Sequence, residues 1–301
     1  MGSAIGEDQI ARLRSQFEEN GYAVLPSVFD RATCLAVEAE LGRLLDEERV
    51  RRRRRAGAEE DPARASVFST GAEQTHTTDE YFLGSGDKVR YFFEKDAGGS
   101  AEVRSDTVNK IGHALHADGE AGSAVLRELC ARPVVAQLLR GVCGLAAPTV
   151  VQSMLILKPP RIGGRVDVHQ DSSFIATAPE SCTGFWTPLE DATVENGCLF
   201  AKPGSHRGPL RTRFRRDGMR VFFDPPLASM DPSEADGAQL EGFVPLEVPA
   251  GSVVLIHGRV LHYSHPNRSE RSRHVFTFHA VDGHAHWLAD NWMPVPVRRT
   301  L

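Results

Sequence analysis

From residue 147 onward the chain is cut into short apolar or alternating runs: TVVQSMLILK, RVDVHQD, GFWTPLE, GCLFAKP, FVPLEVP, GSVVLIHGRVLHYS and RHVFTFHAV, separated by Pro, Gly and Asn. Regularly spaced strands of this kind build an all-β barrel or sandwich and do not build βαβ units. The glycine patterns of dinucleotide and P-loop sites are absent, as is GxSxG.

Before residue 147 the texture is helical. Ile10, Leu13 and Phe17 recur at helical spacing within Asp8 to Asn20, and Gly21 follows where a left-handed cap belongs. YAVLPSVF reads as a strand. From Asp30, a candidate N-cap, a second helix runs through Leu35, Leu41, Leu44 and Leu45 into Arg51 to Arg55 and Gly57. Ala56 to Asp79 reads as a polar surface loop, and a third helical stretch covers roughly Ala121 to Gly141. A chain of 301 residues has a prior of two domains, yet barrel folds run to about 250 residues as one unit. The expectation is a single domain over 1–301, mainly β with flanking helices. A mostly helical part, 1–146, packs on a double-stranded β-helix core, 147–301, of jelly-roll or cupin-like kind.

Composition removes several functions. With 35 Lys+Arg against 40 Asp+Glu the net charge is −5, which gives no global drive towards nucleic acid or an anionic membrane. The arginine run Arg51 to Arg55 is flanked by Asp46, Glu47, Glu48, Glu59 and Glu60, so it reads as a solvated helix end. No apolar run is long enough to span a membrane, the first residues lack an apolar signal core, and RRTL at the C-terminus is not the usual peroxisomal tripeptide. The expected location is the cytosol. Cys34, Cys130, Cys143, Cys182 and Cys198 are scattered without CxxC pairs and read as buried small hydrophobes.

The chemistry concentrates in RVDVHQDSSF. Strand alternation puts His169 and Asp171 on one face, so an imidazole and a carboxylate can address one metal ion. His262, in LIHGRVLHYSHPNRSERSRHVFTF, is the candidate third ligand, and Arg273 lies eleven residues further on, across a turn. Two His and one carboxylate leave open positions on the metal, as in non-haem Fe(II) oxygenases. Those positions suit the 2-oxo acid of 2-oxoglutarate and O2, while the far carboxylate of that cosubstrate calls for a planar bidentate cation. Arg273 fits that task, with the Ser264 hydroxyl beside it. Rival sites are poorer: His284 and His286 have only Asp282 near them, and His113 and His116 lack a third ligand.

From Gln9 to about Trp292 the chain resembles the phytanoyl-CoA dioxygenase family, through GSGDKVRYFFEK, NKIGHALH, VVQSM, HQDSSF, EDATVENGC, PGSH, LIHGRVLH and RSRHVFTFH. The resemblance implies a double-stranded β-helix with Fe(II), 2-oxoglutarate and O2 chemistry, ligands His169, Asp171 and His262, and Arg273 and Ser264 on the far carboxylate. It also implies that Lys110, Met154 and Trp186 line the cosubstrate pocket. From their own sequence context, Met154 and Trp186 read as core and Lys110 as a surface charge, with the metal-proximal carboxylate as its alternative partner. Asn196-Gly197 reads as a hairpin turn, and His206 in PGSH as a candidate group beside the site. Related halogenases lack the carboxylate, so Asp171 favours hydroxylation.

The sequence departs from the family at Lys158 to Arg165 and at Arg207 to Gln239, which leaves the substrate open. RGPLRTRFRRDGMR, Arg207 to Arg220, is rich in arginine; as a lid it would favour a small anion, an acyl-CoA or another phosphorylated or carboxylated molecule. Two further readings stand beside the oxygenase: a metal-binding cupin-like hydrolase or isomerase that does not use 2-oxoglutarate, and a non-catalytic 2-oxoglutarate-binding protein. The intact triad counts against the second.

Overall fold

The computed structural model describes residues 5–55, 80–95, 102–119, 122–218, 220–226 and 240–301. The loop expected at 56–79, Gly57 and Met219 lie outside these residues. The helices are α1 (Glu7–Asn20), α2 (Arg31–Arg55), α3 (Glu80–Leu83), α4 (Ala124–Cys130) and α5 (Pro133–Gly141). Among the described residues the strands run from β1 (Tyr22–Leu25), β2 (Val89–Phe93) and β3 (Val108–His113) to β4 (Pro148–Lys158), β5 (Val166–His169), β6 (Thr177–Ala178), β7 (Thr183–Pro188) and β8 (Leu199–Ala201). They continue with β9 (Arg213–Asp217), β10 (Arg220–Asp224), β11 (Val244–Leu246), β12 (Val253–His257), β13 (His262–Ser264), β14 (Arg273–Asp282), β15 (His286–Trp287) and β16 (Arg299–Thr300).

Local signals set the helix ends. Gly21 takes φ 79° and its N–H bonds Phe17 O, so α1 stops where only glycine is unstrained. A Cβ there would also lie 2.3 Å from Val260 Cγ2. Asp30 caps α2 through Oδ1, 2.8 Å from Thr33 N. Ser123 caps α4 through Leu126 N at 3.2 Å. The single helix expected over Ala121 to Gly141 is two helices, because Pro133 forces Arg132 to φ −61°, ψ 137° and starts a new one. At the arginine end of α2, Arg51 and Arg52 share Glu48, at 2.8 and 3.0 Å.

Two antiparallel sheets face each other as a double-stranded β-helix. The larger has eight strands in the order β1-β12-β7-β14-β4-β3-β2, with β16 alongside β4; the smaller has the order β11-β8-β13-β5. The first 146 residues supply β1, β2 and β3 to the larger sheet as well as the helices; β2 and β3 carry no alternation strong enough to be read from sequence. Along β14 the faces separate cleanly. Phe276, Phe278 and Ala280 join the outer core with Leu13 and Phe17 of α1 and Leu41 and Leu44 of α2, so Arg273, Val275, Thr277 and His279 face the other sheet. All five cysteines are free, and four of them are buried. No helix among the described residues is long and apolar enough to cross a membrane.

Candidate metal centre and cosubstrate pocket

His169 closes β5 and His262 opens β13, and the two residues are direct partners in the antiparallel ladder, with ring centroids 4.2 Å apart. After Gln170 the chain turns into a short 3-10 helix, Asp171–Ser173, held by Phe174 N and Ile175 N on Asp171 O at 2.9 and 3.0 Å. Gln170 points away from the pair, with its amide oxygen accepting from Arg211 N and its amide nitrogen donating to Arg259 O, both at 2.8 Å. The turn therefore delivers the Asp171 carboxylate between the two imidazoles, with Oδ1 3.6 Å from each Nε2.

Each ring is oriented by its own backbone. The Nδ1 of His169 bonds Asp167 O at 2.8 Å and that of His262 bonds Val260 O at 3.0 Å. A carbonyl only accepts, so both rings carry a proton on Nδ1 and turn Nε2 towards the carboxylate. Burial pushes His262 down to about 4, reinforced by the neighbouring His169. Burial pushes the Asp171 carboxyl up, but His279, His262 and His169 outweigh it and hold the group well below the usual carboxylate range. The ligand atoms of His169, Asp171 and His262 all lie within 4.8 Å of one another, a two-nitrogen, one-oxygen set suited to iron.

The other expected residues line the inner face of the larger sheet in rungs. Trp186, Thr277 and Met154 are consecutive partners across β7, β14 and β4; one rung further, Val275 faces Ile156, and Ile156 faces Lys110. Beyond these, Arg273 pairs with Lys158. Arg273 is 2% exposed and its Nε has no partner; burial pushes it down to about 10, so it stays cationic. Its guanidinium carbon lies 5.8 Å from the Trp186 ring centroid. Ser264 is buried two residues along β13 from His262 and so shares its face. Lys110 is buried with Nζ 4.7 Å from the Phe92 ring centroid, and burial drives its ammonium well below the usual lysine range.

The rival histidines serve elsewhere. His116 is spent on Ser153 Oγ and Val297 O at 2.7 and 2.9 Å, His113 bonds Ser85 Oγ at 2.8 Å, and the His284 side chain is 79% exposed. His206 lies against α1, its Nε2 3.2 Å from Glu18 O, and not beside the metal centre. The Asn196-Gly197 turn is structural: Asn196 Oδ1 accepts from Thr193 N at 2.8 Å, and Gly197 has φ 86°. A second cluster, Glu38, Glu190 and His274, is already joined by a hydrogen bond, with His274 Nδ1 2.9 Å from Glu38 Oε2.

Two groups beside the centre escaped the sequence reading. His279 places Nε2 3.3 Å from Asp171 Oδ1; alternation along one strand gives it the face of Arg273 but not its meeting with Asp171. Phe174 stands edge-on to His169 at 6.3 Å and packs on Phe214 of β9 at 5.8 Å. The expected arginine lid thus turns an aromatic face to the site. Its arginines are held at the back: Arg213 and Arg215 bond Asp290 at 2.8 and 2.7 Å, and Arg216 donates to Gly218 O at 2.9 Å.

A double-stranded β-helix with a 2-His-1-carboxylate group on one sheet and a buried arginine on the other defines a class of metal-dependent oxygenase folds. The chain belongs to the phytanoyl-CoA dioxygenase (PhyH) family, which matches residues 17–275. It is 38% identical over 291 residues to phytanoyl-CoA dioxygenase domain-containing protein 1 of Mus musculus, covering 93% of this chain and 94% of that one. Identity to the phytanoyl-CoA dioxygenase of Arabidopsis thaliana is 36%, with the same coverage. Among solved structures, an epimerase in complex with Fe3+, alpha ketoglutarate and nogalamycin RO superposes with a TM-score of 0.57 over 94% of this chain and 87% of that one, at 18% identity.

Proposed function

We propose that the chain is a cytosolic Fe(II)/2-oxoglutarate-dependent dioxygenase that hydroxylates a small organic molecule, with residues 1–301 acting as one catalytic unit. The observation that carries this reading is the buried Arg273 guanidinium with an unpartnered Nε on the same barrel interior as a complete His169, Asp171 and His262 set. An orphaned buried cation calls for an anion, and 2-oxoglutarate offers a carboxylate for it at one end and a metal chelate at the other. Bound together at this site, iron and 2-oxoglutarate supply the activation of O2, with release of succinate and CO2.

The protein's own residues do the rest. His169, Asp171 and His262 would hold the metal. Arg273 and Ser264 anchor the far carboxylate, and Lys110 serves the carboxylate nearer the metal. Met154 and Trp186 wall the pocket and keep it dry. Asp171 occupies a ligand position that a halide would otherwise take, which directs the reaction to hydroxylation. The substrate is read as a small molecule. A CoA ester or other anion is less favoured than the arginine run alone suggests, because Arg213 and Arg215 are already paired with Asp290.

Anaerobic addition of Fe(II) and 2-oxoglutarate is expected to give a weak visible charge-transfer band, and oxygen is then expected to give succinate. Both are lost in Asp171→Ala. Tight zinc binding with neither band nor succinate would overturn the reading in favour of a cupin-like hydrolase or isomerase.

A further inference from the structure

His279 is 9% exposed, and the ring makes a single polar contact among the described residues, Nε2 to Asp171 Oδ1 at 3.3 Å. Its Nδ1 is buried without a partner. An apolar side chain at 279 would leave no ring nitrogen orphaned. The contact with Asp171 is what the imidazole adds.

The other carboxylate oxygen is addressed from the same rung. Gly184 on β7 is the direct ladder partner of His279, and a Cβ at 184 would lie 3.0 Å from Asp171 Oδ2. One rung of the larger sheet therefore grips both oxygens of a carboxylate carried by the turn after β5: a donor reaches Oδ1, and a missing side chain makes room for Oδ2. A carboxylate only accepts, so Nε2 is the protonated nitrogen in this contact. His279 also falls outside the set of three ligand atoms that lie mutually within 4.8 Å, which separates it from the ligands themselves.

We infer that His279 is a positioning residue, which acts through Asp171 by fixing the rotation of its carboxylate so that one oxygen faces the two imidazoles. This rests on the proposed function only in taking the three residues as a metal site. Partners of this kind behind a metal ligand are worth about 10- to 100-fold in metal affinity. His279 shares its strand and face with Arg273.

The test uses Mn(II) alone as the probe, without oxygen or cosubstrate, and follows the loss of the free Mn(II) EPR signal in the full chain. Asp171→Ala marks the affinity left when a ligand is removed. His279→Leu, similar in volume and unable to donate, is expected to weaken Mn(II) about 10- to 100-fold and to remain tighter than Asp171→Ala. His279→Gln, which returns an N–H at comparable reach, is expected to recover most of the affinity. Gly184→Ala, acting on the other oxygen, is expected to weaken binding as well, and it carries the test should His279→Leu fail to fold. Wild-type affinity in His279→Leu and in Gly184→Ala would overturn the proposal. So would a fall to the Asp171→Ala level, which makes His279 a ligand, or a glutamine as weak as the leucine at equal melting temperature, which makes the imidazole mere packing. Wild-type protein that does not bind Mn(II) would sink the metal site itself.

Discussion

Arg273 carries a charge into the barrel interior, where it is 2% exposed. A buried guanidinium with an unbonded Nε has lost solvation that only an anion in the barrel returns. Its planar fork is suited to two parallel bonds with a carboxylate, which an ammonium cannot make. Arg273→Lys is therefore expected to keep Mn(II) affinity and lose 2-oxoglutarate affinity by about 10- to 100-fold, the worth of one charge-assisted hydrogen bond. Anaerobic titration of the charge-transfer band measures it, and an unchanged 2-oxoglutarate affinity would contradict the assignment. His169 and Asp171 were legible because their relation is local, two residues apart around a strand end. His279 was not, because its partner is brought to it by the opposing sheet, and spacing along one chain carries no record of that meeting. Lys110 reads as an ordinary surface charge until β3 is seen to lie inside the larger sheet.

The hairpin of β9 and β10 shows how an element's role differs from its composition. Rich in arginine, it reads as a cationic lid, yet alternation sends Arg213 and Arg215 to one side and buries Phe214 on the other against Phe174 and Phe223. Asp290 holds both arginines, and Arg216 N bonds Asp290 O at 2.8 Å. The Asp290 carboxyl is kept low by its Arg213 hydrogen bond despite burial, with Arg215 adding to the effect. Partly exposed pairs contribute about 0.2–1 kcal/mol each. Asp290→Asn is expected to speed amide hydrogen exchange across 213–217 several-fold, with Mn(II) affinity unchanged. Exchange that stays at the wild-type rate would show that the aromatic face alone secures the hairpin. In the N-terminal half, Pro133 splits what reads as one helix over Ala121 to Gly141.

Across the whole molecule, buried histidines tie stability to pH. His257 is pushed down to about 4 by burial, then by His206 and Arg259, and its Nδ1 accepts from Arg259 N at 3.1 Å, which a proton there would break. His116, His206 and His265 are also lowered, each first by burial. In the unfolded chain these groups titrate near 6.5. Below that pH the unfolded state takes up protons that the fold refuses, so stability is full above about 6.5 and falls as pH drops towards 4. Denaturant unfolding at pH 7.5 and 5.0 is expected to show this loss in the metal-free protein, and His257→Gln to reduce the slope. Equal stability at the two values would refute it.

The sequence by itself determined the strands after residue 147, the caps of α1 and α2, the metal-ligand candidates and the arginine that follows them, and through its longer motifs the family. Each of these is written in short-range terms: period-two alternation, turn residues, and a His-X-Asp spacing around one strand end. Only the tertiary structure decided that β1, β2 and β3 complete the larger sheet, that Asp290 pairs with Arg213 and Arg215, and that His279 and Gly184 close on Asp171 from one rung. Those outcomes depend on which strands become neighbours, and ladder pairing between distant segments is settled by the burial of both faces together and not by any local run of residues.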